Sequence, residues 1–179
     1  MRALVFFPVA LLLAGCERQP ETYAPPVQRQ PLDDFRPYRA ARVVKMNDAD
    51  AEAFFTGDII KGPVETSWRW TGKRPAITLH PRSVDGLVYT IEYAIPEVTF
   101  KATGPVNITF SVNKRVLDTV HISQFGQQSY QKLVPPGWMI AGQPSEVAAE
   151  IDKTYKSSLD GETLGFLLTS MGLAQGTSK

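Results

Sequence analysis

The side chains of this chain best suited to chemistry are flat rings with hydrogen-bonding neighbours. Trp68, Trp70 and Trp138, with Tyr89, Tyr93 and Tyr130, supply the rings, and Arg69, Asp85 and His80 supply polar groups close by in sequence. Rings set against the apolar faces of pyranoses, beside groups that hydrogen-bond hydroxyls, would make a sugar site. Trp68 opens a strand-like stretch and Trp138 follows a Pro-Pro-Gly turn, so both rings are expected at the surface. Trp70 is expected in the core, where the aromatics of an alternating strand usually lie. The candidate ligand-binding residues are therefore Trp68, Arg69 and Trp138.

Catalytic chemistry is not legible. His80 and His121 are the only histidines, and neither sits in a nucleophile elbow or beside a triad-like pattern. Asp58, Asp85, Glu92 and Glu97 could pair for glycoside cleavage only if the fold brought two of them together. Each reads instead as a solvated strand or loop residue. Two distant histidines and one cysteine do not make a transition-metal site. Asn47-Asp48-Ala49-Asp50 has oxygens that could hold calcium but reads better as the cap of a helical turn. The expectation is a protein that is not an enzyme, with no cofactor and no metal.

The elements that must carry these residues begin with a leader. Arg2 gives a positive start, and Ala3 to Leu13 are apolar over a stretch too short to span a bilayer. Leu13-Ala14-Gly15-Cys16 then resembles the lipobox of bacterial lipoproteins. The resemblance implies cleavage before Cys16, acylation of that cysteine, and a membrane partner reached through the lipid. Two acyl chains already anchor firmly, at about 0.8 kcal/mol for each buried methylene. The residue after the cysteine is Glu17 and not Asp. An aspartate there resembles an inner-membrane retention signal, so the resemblance implies an envelope lipoprotein of the outer membrane, facing the periplasm.

Cys16 is the only cysteine, and acylation leaves none for a disulfide. Lys and Arg number 19 against 18 Asp and Glu, and loss of Arg2 with the leader makes the two equal. A neutral domain without a basic block excludes nucleic acid as a partner. Residues 16–37 hold five prolines and few aliphatics, the composition of an extended tether. Residues 38–179 are then long enough for one domain with its own core.

Within 38–179 a short helical turn is expected over Asn47 to Glu52, followed by strands between turn residues. These are Thr66 to Thr71, Ala76 to His80, Leu87 to Ile95, an extended Glu97 to Lys101, Val106 to Val112, Arg115 to Ser123, Gln127 to Val134, Ser145 to Lys156 and Leu164 to Met171. Leu87, Tyr89, Ile91, Tyr93 and Ile95 share one face, as do Val106, Ile108, Phe110 and Val112. About eight strands at this spacing predict an all-β, antiparallel β-sandwich.

Between Trp68 and Leu173 the motif order resembles bacterial jelly-roll modules of the galactose-binding-like fold, over about 105 of the 179 residues. Arg69-Trp70-Thr71 leads into Ala76 to Leu79; Ile95-Pro96-Glu97-Val98-Thr99-Phe100 follows. Pro105, Val106 to Val112 and Asn113 are similar to the hairpin of such domains, and Val134-Pro135 and Leu164-Gly165-Phe166-Leu167-Leu168 to their later strands. Lys114 stands where that hairpin usually has glycine, which predicts a wider turn. The resemblance implies a carbohydrate-binding or accessory domain. Two functions fit: a non-catalytic glycan-binding envelope lipoprotein, or a structural adaptor lipoprotein that holds a protein partner at the membrane. Clustering of Trp68 and Trp138 at one loop end would favour the first, and burial of both the second.

Overall fold

Period-two hydrophobic patterning builds this molecule, and its strands end where turn residues stand. The computed structural model describes residues 42–63 and 65–176. The leader 1–15, Cys16 and the tether 16–37 lie outside the described residues. Eleven strands are present among those described: β1 (Val43–Lys45), β2 (Arg69–Trp70), β3 (Ala76–Leu79), β4 (Leu87–Ile95), β5 (Val106–Val112), β6 (Arg115–Ile122), β7 (Gly126–Leu133), β8 (Ser145–Ile151), β9 (Tyr155–Lys156), β10 (Thr163–Leu164) and β11 (Leu167–Gln175). A 3₁₀ turn covers Ala51–Phe54, close to the expected helical turn, and α1 covers Glu97–Thr103.

One sheet runs β1–β11–β4–β7, with β2 also pairing β11; the second runs β3–β8–β5–β6, and β9–β10 form a separate ribbon. Each pairing is antiparallel. With β1 and β2 taken as one edge position and the ribbon set aside, chain order reads 1-8-3-6 in one sheet and 2-7-4-5 in the other. That is the order of a double-sheet jelly roll, so the expected all-β antiparallel sandwich is the fold.

The inner faces meet over Tyr89, Ile91, Tyr93, Ile108, Phe110, Val112, Val147, Ala149, Leu168 and Met171, all at most 1% exposed. Phe110 stacks on Tyr130 with ring centroids 4.1 Å apart, and the Tyr89 hydroxyl donates to the Ala148 carbonyl at 3.1 Å. Burial holds the Tyr93 hydroxyl up at about 12. One open edge between the sheets is latched by Asp118 of β6, which accepts from Tyr130 and Lys132 of β7 at 3.0 and 2.8 Å.

The chain departs from the expected elements at four places. Glu97 to Lys101 is helical and not extended: Pro96 starts the turn, Glu97 and Lys101 pair at 2.7 Å across i,i+4, and Gly104 ends it at φ +69°. Ser145 to Lys156 is broken after Ile151, where the Asp152 carboxylate turns back to accept the Asn107 amide N–H at 2.8 Å. The last strand begins at Leu167 and runs past Gly172 to Gln175. The hairpin at Asn113-Lys114 is not widened. Val112 pairs Arg115 directly across two residues that both take left-handed backbone, at φ +49° and +65°. A register shift between Phe110 and Ser111 moves the inward phase of β6, so Leu117 is buried while Val116 is exposed.

Candidate ligand-binding face

The strand register decides which side of the first sheet each candidate occupies, because residues directly opposite on neighbouring strands share a face. Trp70 pairs Leu167, Leu167 pairs Ala94, and Ala94 pairs Gln127. This row lies on the outer face. Arg69 pairs Leu168, which pairs Tyr93, and both of those are buried. The two tryptophans thus share a face, as their spacing predicts, but it is the solvent face. Trp70 is half-buried and not a core residue. Trp68 is 41% exposed, and its ring meets Trp70 edge-on at 6.4 Å and 84°.

Arg69 is 3% exposed. Its guanidinium donates to the Pro63 carbonyl and, at 2.6 Å, to Thr66 Oγ1, and it packs beneath Gly62. It holds Pro63 and Thr66 from below and presents nothing to a ligand beside Trp68. Trp138 lies at the far end of the sandwich. There the Val134 amide bonds the Leu87 carbonyl, and Asn113 Nδ2 donates to the Trp138 carbonyl at 2.8 Å. Its ring is half-buried against the core with the Arg115 guanidinium 5.9 Å from its centre. Trp68 and Trp138 do not come together and neither is fully buried, so their positions favour neither of the two functions. Tyr89 and Tyr93 are core rings and Tyr130 is half-buried against Tyr89 and Phe110, which removes them from the candidate platforms. Asp48 and Asp50 both take the Arg42 guanidinium, at 2.5 and 3.0 Å. Burial pushes the Asp48 carboxyl up, but its bonds to Arg42 and the Lys45 amide outweigh that and leave it below the usual range.

Beside the aromatic row runs a polar one that sequence reasoning did not assemble. Lys45 pairs Ser170, Ser170 pairs Glu92, and Glu92 pairs Ser129. Ser170 Oγ donates to Glu92 Oε2 at 3.4 Å. The side chains of Lys45, Glu92, Ser129 and Gln127 are exposed. Strands about 4.8 Å apart make the two rows a patch roughly 14 Å across. Indole faces at one edge and carboxylate, amide, hydroxyl and ammonium groups across the floor can stack a sugar ring and bond its hydroxyls.

No known protein-family pattern matches this chain, and no curated protein matches it. Among solved structures, a CBM36-1 domain of a multidomain xylanase from the hindgut metagenome of Trinervitermes trinervoides is similar at 9% identity and a TM-score of 0.45, covering 77% of this chain and 99% of that one. An exo-β-1,3-galactanase from Phanerochaete chrysosporium with β-1,3-galactotriose is similar at 12% identity and a TM-score of 0.41, covering 76% of this chain but 29% of that enzyme. Likenesses this distant carry no argument about function, and the jelly-roll assignment rests on the strand order given above.

Proposed function

We propose that this protein is a non-catalytic glycan-binding module of the bacterial envelope, held at the outer membrane, facing the periplasm, by acyl chains on Cys16. Trp68 stacks on the saccharide, Trp70 fixes the Trp68 ring, and Glu92, Gln127 and Ser129 bond the hydroxyls. The observation that carries this reading is the exposed Trp68 ring, set against half-buried Trp70 on the solvent face of the sheet, next to the polar row from Lys45 to Ser129. Large aromatic rings left in water beside convergent polar groups are unusual unless something covers them.

The test is a glycan-array screen of the full-length protein in detergent micelles, with Trp68→Ala and Trp138→Ala beside it. Trp68→Ala is expected to lower saccharide binding about tenfold and to change stability by less than about 1 kcal/mol, because little packing depends on that ring. Trp138→Ala is expected to lower stability and leave binding intact. Silence across envelope and plant polysaccharides would refute the glycan reading and leave the adaptor reading, to be pursued by crosslinking. For the anchor, incorporation of labelled palmitate in bacteria should disappear in Cys16→Ser.

A further inference from the structure

The outer face of the second sheet carries a shallow groove of about 290 Å³, lined by Arg74, Thr109, Ser111, Lys114, Val116 and Glu150. That lies near the lower end of ligand-sized clefts, about 300 Å³. Its origin is a contrast in side-chain size. Thr109 and Ser111 are the short side chains at its floor, while Arg74, Glu150, Lys114 and Val116 rise around them. Arg74 is held by Glu146 at 2.6 Å, and Lys73 reaches Glu150 at 3.5 Å. Lys73, Arg74 and Lys114 therefore stand against Glu146, Glu150 and Asp58, whose carboxylate also accepts the Arg74 amide at 3.0 Å. The surround is balanced in charge, and among the described residues Lys114 is its cation without a partner.

Two of these groups are uncommitted. Among the described residues, neither the Ser111 hydroxyl nor the Lys114 ammonium has a hydrogen-bond or ion-pair partner. Lys114 also sits at φ +65°, the second position of a tight hairpin, where glycine is the easiest residue and a side chain is strained. The chain thus keeps a cation at the lip of a hydroxyl-lined groove against its backbone preference. Strain of this kind points to a ligand when a cleft lies beside it.

We propose that this groove is a second binding site, separate from the Trp68–Trp70 face, for a carboxylate-bearing saccharide of one or two rings. Lys114 takes the carboxylate, and Thr109, Ser111 and Glu150 take hydroxyls. The proposal does not depend on the glycan reading of the tryptophan face.

The experiment is a titration of the ¹⁵N-labelled full-length protein in micelles with glucuronate and, separately, glucose. Glucuronate should shift the amides of Thr109, Ser111 and Glu150 to saturation, and glucose at equal concentration should not. Lys114→Gly suits the turn better than the native residue, so the fold is kept. It should weaken glucuronate about fivefold, the scale of one exposed charge contact, while Trp68→Ala should leave it unchanged. Absence of localised shifts, equal shifts with glucose, or unchanged affinity in Lys114→Gly would each overturn the proposal.

Discussion

Substituting alanine at Gly172 tests the account of how the N-terminal edge strand is held. Gly172 lies in β11, between Val43 of β1 and Thr90 of β4. The Leu173 amide bonds the Arg42 carbonyl at 3.0 Å, which draws the Arg42 backbone over position 172. A Cβ there would run into that carbonyl oxygen and come within 2.7 Å of Val43 Cα. The obstruction is backbone, so no rotamer change relieves it, and glycine serves here because another chain segment approaches closely. The relief left is for β1 to lift away, exposing Val44 and Met46, both fully buried. At about 1.5–3 kcal/mol for each buried side chain, the substitution should cost about 3–6 kcal/mol. Urea unfolding of Gly172→Ala against the parent measures this, and hydrogen exchange at Val44 and Met46 reports detachment of β1 directly. A loss below about 1 kcal/mol with both amides still protected would refute the close-approach argument.

Three further outcomes follow from the same geometry. Lys114→Gly, which relieves left-handed backbone at the hairpin, should raise stability by about 1 kcal/mol in urea unfolding. Tyr89→Phe removes a buried donor from the Ala148 carbonyl and should cost about 1 kcal/mol or more, seen as a lower melting temperature. Asp118 is held below the ordinary carboxylate range by Lys132, the Thr119 amide and Tyr130. Asp152 is pushed up by burial but brought lower by the Asn107 backbone and side chain. A carboxylate with a lowered folded value stabilises above the unfolded value, near pH 4, and that contribution is lost as pH falls through the folded value. The urea midpoint should therefore be level from neutrality to about pH 5 and fall below about pH 4, and Asp118→Asn with Asp152→Asn should flatten that acid limb.

The fold was legible wherever a strand was long and bounded by turn residues. Leu87–Ile95 and Val106–Val112 are observed with the ends their patterns predict, since Gly86, Pro96, Pro105 and Asn113 close them. The helix Glu97–Thr103 was not legible, because β-branched Val98, Thr99 and Thr103 argue for an extended chain. Its signals were Pro96 before it and Gly104 after it. The candidate site was legible only in part. The spacing of Trp68 and Trp70 gives their common face. It does not say which face, because β2 is two residues long and Arg69 finds its partners in a loop a few residues upstream. The polar row draws Lys45, Ser170, Glu92 and Ser129 from four strands, and no local pattern connects residues so far apart in sequence. The register change in β6 was equally hidden, since a bulge follows from pairing with β5 and not from either strand alone.

The inversion at β2 bears most directly on function. Burial of apolar surface alone would turn this strand the other way, with both indoles inside and the guanidinium in water. A one-residue slip against β11 would achieve that, because every side chain on a strand changes face with such a slip. The observed register instead keeps Trp68 in solvent, forgoing burial of a ring at about 25 cal/mol per Å², and places a cation in the interior, where desolvation is costly. Two features hold the register in place. Arg69 is matched to the Pro63 carbonyl and Thr66 Oγ1, with its guanidinium packed beneath Gly62. Leu168, directly opposite Arg69, in turn pairs buried Tyr93, which fixes the inward phase that β2 follows. Stability is thus secured by the inner faces, and the exposed Trp68 ring adds little to it. An arrangement that weakens burial at one edge while setting one indole edge-on against another beside a polar row is understandable if a ligand supplies the missing contact.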